Sequence, residues 1–244
     1  MLDISKTDLL FRDDAYLRTA EATVLGVNER GGLILDRSIF YPTGGGQPGD
    51  KGTLELEDGH RIGISATVYG DSKEQVVLVP AEGQSLPDAG TKVTAHLDWK
   101  MRYLHMRMHT ALHLLSVALP YPVTGGSIGA DASRLDFDIP EATLDKEEIA
   151  ETVNTTIAGD HAVTSEWITD ADLEAKPELI KTMSVKPPMG SGLVRLVRIG
   201  DHVDLQPCGG THVSRTPEIG WIRVTKIEKK GKQNRRVRIE LVED

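Results

Sequence analysis

The chain has 244 residues, a formal net charge of −9, 39% hydrophobic residues and 27% charged ones. These values suit a soluble protein of one large or two modest domains, and no run approaches the ~18 apolar residues of a membrane span, which excludes membrane insertion. A single cysteine, Cys208, rules out an internal disulfide and agrees with a reducing cytoplasm, and MLDISKTDLLFRDD lacks the basic and apolar regions of a secretory signal.

In chain order, residues 1–18 predict no more than a lead-in strand or turn. AEATVLGVNERGGLILD then reads as a hairpin turning over Asn28 to Gly32. Strands follow at about 52–57, 60–69, 74–79 and 91–97, each bounded by Gly, Asp or Pro, and together they predict a small antiparallel β-barrel or sandwich. Between the second and third strands lies FYPTGGGQPGDKG. Three consecutive glycines make it a loop whose amides can approach a phosphate or sugar, although a plain barrel turn explains it equally well. Turn formers at 83–90 place a boundary there or just after the next strand, giving a first domain over 1–95 and a second over 96–244.

The second domain opens with a helix over 98–119, capped by Asp98 and followed by Pro120. YPVTGGSIGADASRLDFDI supplies a glycine turn and a strand alternating Leu135, Phe137 and Ile139 with polar residues. Residues 143–159 predict a helix capped by Thr143 or Asp145 and stopped by Gly159, 161–169 a strand, and 169–183 one or two short helical turns about Pro177. A loop is expected at 184–192. Strands follow at 193–199, 202–206, 219–230 and 234–242, with Gly231 turning the last hairpin. Two helices across a mostly antiparallel sheet make this half α+β.

The chemistry centres on HTALHLL. His109 and His113 are about one helical turn apart, so their imidazoles point the same way with Cβ atoms about 6 Å apart, close enough to share a metal ion. His105 precedes His109 by the same interval, but His105 and His113 would be about 12 Å apart along the axis, beyond the reach of one ion. Apolar Ala111, Leu112, Leu114 and Leu115 surround the second pair, whereas Arg102, Met106 and Arg107 flank His105. The ligand pair is therefore His109 and His113, and His105 is either a support behind them or a surface residue. Two histidines alone at this spacing are ordinary, but PCGGTHV adds Cys208 and His212. One thiolate and three imidazoles suit zinc better than magnesium or calcium, and Gly209-Gly210 lets the backbone turn sharply between the downstream pair.

HTALHLL, CGGTHV and YPTGGGQPGD in this arrangement resemble the editing domain of alanyl-tRNA synthetases and its free-standing AlaX relatives, and the length suits the medium, two-domain type. The resemblance implies an editing domain of the alanyl/threonyl-tRNA synthetase type that hydrolyses tRNA(Ala) mischarged with serine or glycine, with the tRNA acceptor end as partner. It implies that Thr43, Gly44, Gly45, Gly46 and Gln47 border the pocket, with a Thr43 hydroxyl and a Gln47 amide offered to the terminal aminoacyl nucleotide. Ser127 and Arg134 resemble the family's next segment, where synthetases usually read RFDF and Leu135 here replaces the first phenylalanine. Synthetases tend to carry glutamine near Thr124, so amino-acid selectivity differs if Thr124 faces substrate.

Such an activity has a physical reason. Glycine and serine differ from alanine by one methyl or one hydroxyl, differences that give only about 10- to 200-fold discrimination in a single pocket. Zinc can activate water or polarise the ester carbonyl, yet four protein ligands close a tetrahedral shell. Either a ligand such as His212 is loose, or zinc becomes five-coordinate, or it only fixes the geometry. Amides of Gly209, Gly210 and Thr211 are candidate oxyanion donors. Two other functions use the same residues: a binding module with structural zinc, and a zinc hydrolase of a small ester or amide that needs no tRNA. The negative net charge favours the latter. Against it stands KIEKKGKQNRRVR at 226–238, seven basic residues against Glu228, which reads as a solvated hairpin or a phosphate contact.

Overall fold

The computed structural model describes residues 5–139, 143–181 and 192–242. Two compact units emerge: Met1–Gly44 with Pro48–Tyr103, and Gly45–Gln47 with Leu104–Asp244. Among the described residues no helix is long and apolar enough to cross a membrane.

The first unit begins with a two-residue strand, β1 (Asp8–Leu9), and a single turn of helix, α1 (Leu10–Asp13), in keeping with the short lead-in expected there. β1 pairs in parallel with β4 (Arg37–Ser38). The remaining strands are β2 (Thr19–Val27), β3 (Leu33–Leu35), β5 (Gly52–Leu56), β6 (Arg61–Tyr69), β7 (Val76–Pro80) and β8 (Lys92–Leu97). They close into a barrel in the order β2-β3-β7-β6-β5-β8, so the barrel rather than the sandwich is realised. Closure pairs Thr19 with His96 and leaves no open sheet edge. Alternate side chains fill the interior, among them Val24, Leu35, Leu54, Ile62, Ile64, Leu78, Val93 and Ala95.

The Gly-rich segment joins β4 to β5, and its ends are tied together. The Asp50 amide donates to Tyr41 O at 2.9 Å, and the Asp50 carboxylate accepts from the Tyr41 amide at 2.5 Å. Gly45 and Gly46 lie at φ +57° and +81°, a backbone region that side-chain-bearing residues rarely adopt. The two-residue bend is thus a direct reading of the glycines.

Helix α2 spans Trp99–Ala118, and Asp98 Oδ1 accepts from the Met101 amide, as an N-cap should. Its middle is buried on all sides: Met106, Met108, Ala111, Leu112, Leu114 and Leu115 are enclosed, and so are His105, His109, Thr110 and His113. His105 is only 5% exposed, which removes the surface alternative for it.

Among the described residues the second unit contains two antiparallel sheets where patterning suggested one. β9 (Val123–Ser127), β10 (Ala132–Asp138), β14 (Trp221–Lys229) and β15 (Asn234–Val242) form a four-stranded sheet in the order β14-β15-β10-β9. β11 (Val163–Thr169), β12 (Leu193–Ile199) and β13 (Asp204–Pro207) form a three-stranded one. Periodicity reports which segments are strands and not which ones pair, and that is where the single-sheet expectation went wrong. α3 (Lys146–Ala158) is capped by Asp145 and packs on β14, where Asn154 exchanges two 2.9 Å hydrogen bonds with the backbone of Ile222. α4 (Asp170–Glu174) and a 3-10 turn opened by Pro177 account for 170–179. The loop expected at 184–192 lies outside the described residues except Gly192.

Candidate metal centre

Two segments of the chain supply the centre. α2 carries His109 and His113 one turn apart, and the chain leaving β13 carries Cys208 and His212. Their four ligand atoms all lie within 4.8 Å of one another. Cys208 Sγ is 3.4 Å from His109 Nε2 and 3.3 Å from His212 Nε2. Ligands at zinc-like bond lengths of ~2.0 to ~2.3 Å around a tetrahedron stand roughly 3.3 to 3.8 Å apart, so the two sulfur–nitrogen distances already match that spacing, and the wider separations, up to 4.8 Å, need only a small inward movement to hold one ion.

The tautomers support the same conclusion. His109 Nδ1 lies 2.9 Å from the carbonyl Oε1 of Gln47, and His113 Nδ1 lies 2.9 Å from Oδ2 of Asp204. His212 Nδ1 meets Thr110 Oγ1 at 3.1 Å, and that hydroxyl donates its proton to Met106 O at 2.9 Å, so towards the ring it accepts. Each imidazole thus keeps an N–H on Nδ1 and turns Nε2 inward, where it is free to bind a metal once it carries no proton. Metal-binding histidines are commonly held this way, with the ring nitrogen remote from the ion bonded to a carbonyl or carboxylate.

Charge follows geometry. Burial alone would raise the Cys208 thiol, but the neighbouring His109 and His212 rings hold it well below its ordinary value. Burial pulls His113 down, yet its bonds to Asp204 and Cys208 push it up to about 9. Burial and the adjacent His109 take His212 down to about 3. Burial raises Asp204, but His113 and Lys181 bring it to about 2. A cationic ring against an acidified thiol is the arrangement that a divalent cation replaces when these ligands close on it.

Glycine at 210 is a steric requirement. A Cβ there would stand 2.2 Å from His109 Cε1 and 2.8 Å from Gln47 Oε1, closer than any real contact. A Cβ at Gly209 would meet nothing within 4 Å. The amides between the downstream ligands have distinct assignments: Gly210 N–H points at Cys208 Sγ at 3.5 Å, and Thr211 N–H at Gln47 Oε1 at 3.1 Å. Gln47 Nε2 also donates to Thr211 Oγ1 at 2.8 Å.

The structure brings Gln47, His109, His113, Cys208, Gly210, Thr211 and His212 together. Gly46 adjoins β9, where Ile128 N–H donates to Gly46 O at 2.8 Å and Ser127 Cα is 3.7 Å from the Cβ position. Arg134 pairs with Asp136 at 2.5 Å. The Thr124 hydroxyl donates to Asp136 O at 3.2 Å and accepts from Asn234 Nδ2 at 2.7 Å. In the first unit, Thr43 Oγ1 donates to Thr67 O at 3.2 Å and accepts from Gly49 N–H at 2.9 Å, while Tyr41 donates its hydroxyl to Gly44 O at 2.8 Å.

Three residues that build the centre were not singled out from the sequence. Thr110 and Asp204 orient imidazoles, and Arg195 donates to Cys208 O and Gly210 O at 3.0 Å each, clamping the glycine turn. Asp204 and Gln206 alternate inward on β13 directly before Cys208, so a buried acid two places from a buried amide was the available signal.

Comparison with known proteins agrees. Residues 194–238 match the threonyl and alanyl tRNA synthetase second additional domain, and residues 13–101 match the class II (A) tRNA synthetases. The chain is 35% identical over 247 residues to the alanyl-tRNA editing protein AlaX-M of Methanosarcina mazei, with 97% of each covered. It is 36% identical over 232 residues to AlaX-L of Pyrococcus horikoshii, covering 91% of this chain and 55% of that protein. The alanine–tRNA ligase of Pyrobaculum neutrophilum shares 32% identity over 241 residues, 26% of its own length. Near-complete coverage at that identity, over a closed barrel and a His/Cys centre, places the chain in the AlaX family of alanyl-tRNA editing proteins.

Proposed function

We propose that the protein hydrolyses, in trans, the ester linking serine, and secondarily glycine, to the acceptor end of tRNA(Ala), and that it does so in the cytoplasm. The proposed cofactor is zinc, held by His109, His113, Cys208 and His212. The observation that carries the proposal is the convergence of three imidazoles and one cysteine sulfur in a chain that matches editing proteins nearly end to end. We divide the work between a barrel domain, residues 1–95, and an editing domain, residues 96–244.

When bound, zinc supplies positive charge to the scissile carbonyl or lowers the pKa of an attacking water. The chain's own residues do the rest. Gln47, Asp204 and Thr110 fix the three rings, and Arg195 holds the loop between Cys208 and Gly210. The amides of Gly210 and Thr211 are turned into the centre, so they preserve its shape. Gly209 is the point of that loop open to approach, and we assign its N–H to the developing oxyanion. The glycines at 44–46 admit the terminal nucleotide. Ser127, Arg134 and Thr124 line the RNA side. Thr43 already gives its proton to Thr67 O, so towards substrate it acts as an acceptor for the hydroxyl of serine, which alanine lacks.

Incubation with Ser-tRNA(Ala), Gly-tRNA(Ala) and Ala-tRNA(Ala), with His109→Ala alongside, tests this reading. Loss of the first, slower loss of the second and retention of the third are expected, with both losses abolished in the variant. Stable Ser-tRNA(Ala) with the metal-loaded wild type would overturn it.

A further inference from the structure

The basic run at 226–238 takes no part in the centre. It forms the β14–β15 hairpin, and the register shows where its charges go. Arg238 stands opposite Arg134 of β10 and opposite Lys226 of β14, and Arg134 stands opposite Ser127 of β9. Directly opposed residues in antiparallel strands share a face. Ser127, Arg134, Arg238 and Lys226 therefore form one row across all four strands, on the side away from buried Leu135, Val237 and Ile222.

The adjoining row is Gly125, Asp136, Arg236 and Glu228. Five cations share its two carboxylates. Arg134 and Arg236 reach Asp136 at 2.5 and 2.7 Å, and Arg238, Lys226 and Lys230 reach Glu228 at 2.8, 3.2 and 3.3 Å. With Asp138 of β10 also on this face, opposite Asn234, and Arg223 cancelled by Glu240, two positive charges are left in excess there, on a chain whose net charge is −9. Like charges set directly opposite each other destabilise a sheet. Arg134 beside Arg238 beside Lys226 is thus an arrangement that an outside anion relieves. Four strands about 4.8 Å apart put the ends of the row about 14 Å apart, the length of roughly four stacked nucleotides.

The row is also continuous with the centre. Gln47 holds His109, and the adjacent Gly46 lies so close to β9 that a Cβ on it would stand 3.1 Å from Gly126 O. Gly126 is followed by Ser127, the first member of the row.

We propose that this face of the β14-β15-β10-β9 sheet, through Ser127, Arg134, Arg238, Lys226 and Lys230, binds the phosphate backbone of the tRNA as it leaves the esterified 3′ end. The direction of the RNA rests on the editing function proposed above, whereas the surface is tested by binding alone.

The test measures the affinity of uncharged tRNA(Ala) by fluorescence anisotropy between about 50 and about 200 mM salt. Replacing Lys226 and Lys230 together by Gln is expected to weaken binding about tenfold and to reduce the slope of log K against log salt by about 2. Glu228→Gln removes the acid that holds them and is expected to tighten binding several-fold, a gain that misfolding cannot imitate. Hydrolysis of a 3′-seryl ester of adenosine by the lysine variant is expected at the wild-type rate. Unchanged affinity and slope in the lysine variant, or no binding of tRNA by the wild type, overturns the proposal. Wild-type protein that binds tRNA but leaves Ser-tRNA(Ala) intact removes the editing function instead, and the surface is then decided by the variants.

Discussion

Gln47 Oε1 lies 2.9 Å from Nδ1 of His109 and 3.1 Å from the Thr211 amide, so one carbonyl ties a helix ligand to the loop that carries the other two. Gln47→Leu keeps the approximate volume and removes both the acceptor and the amide donated to Thr211. Loss of a partner behind a metal-binding histidine typically lowers metal affinity about 10- to 100-fold. Competition with a chromophoric chelator should show a fall in that range, with Gln47→Glu, which keeps an acceptor, close to wild type. Equal affinity in Gln47→Leu would mean that the ring is positioned by packing alone.

The two glycines of the loop should behave oppositely. Gly210→Ala places a methyl 2.2 Å from His109 Cε1 and 2.5 Å from Nδ1, so either the imidazole or the loop must move. Metal stoichiometry well below one per chain and loss of deacylation are expected. Gly209→Ala meets nothing within 4 Å and should retain the metal. Elemental analysis of both purified variants decides the matter, and full occupancy in Gly210→Ala would refute the close-packed loop.

The His/Cys group was legible because each member carries a chemical signature at a helical or glycine-hinged spacing: His109 with His113, and Cys208 with His212. The barrel strands were legible because alternation is strict there, as in KVTAHL, where Val93, Ala95 and Leu97 face inward. The supporting groups were not. Thr110, Asp204 and Arg195 act across 102, 91 and 13 to 15 residues of chain respectively, and such distances leave no local pattern. Gln47 entered through the glycine motif around it, and its bond to His109 spans 62 residues. The pairing of seven strands into two sheets was hidden for the same reason.

The metal-free protein should show an unusual pH profile. Burial lowers the pKa of His113, but Asp204 and Cys208 raise it from 6.5 to about 9, so the folded form binds this proton more tightly. The resulting stabilisation is complete below pH 6.5 and disappears as pH rises through about 9. Asp204, held at about 2 against an ordinary 3.8, contributes above 3.8 and ceases to as pH falls through about 2. His212, lowered from 6.5 to about 3, works the other way and gains stability as pH rises from about 3 to 6.5, and Cys208, held below its ordinary value of 9, gains it as pH rises towards 9. With chelator present, the melting temperature should therefore climb from about pH 3 to about pH 6.5 and then level off towards pH 9, where the His113 loss opposes the Cys208 gain. Asp204→Asn removes the acid that raises His113, so the variant should keep climbing between pH 7 and pH 9, and a variant with the wild-type slope there would contradict the cationic His113.

Arg102 and Asp50 supply the last prediction, within the barrel unit. Arg102 is 0% exposed and Asp50 4%, and Arg102 Nε reaches both carboxylate oxygens at 3.1 and 3.0 Å. Its remaining donors go to Ala15 O at 2.9 Å and Ile39 O at 2.6 Å, and Asp50 in turn accepts from the Tyr41 amide. Breaking a buried pair by removing one partner costs about 3 to 5 kcal/mol, because the other charge is left without compensation. Arg102→Met and Asp50→Leu should each destabilise by about that amount in urea titrations. The double variant should be far less unstable than the two losses added, since no orphaned charge remains, although the Tyr41 amide still lacks its acceptor. A double-mutant cycle with no coupling would show that the two side chains are stabilised independently, and the Gly-rich loop would then owe its anchorage to other bonds, such as the Asp50 amide on Tyr41 O and the Thr67 hydroxyl on Asp50 O.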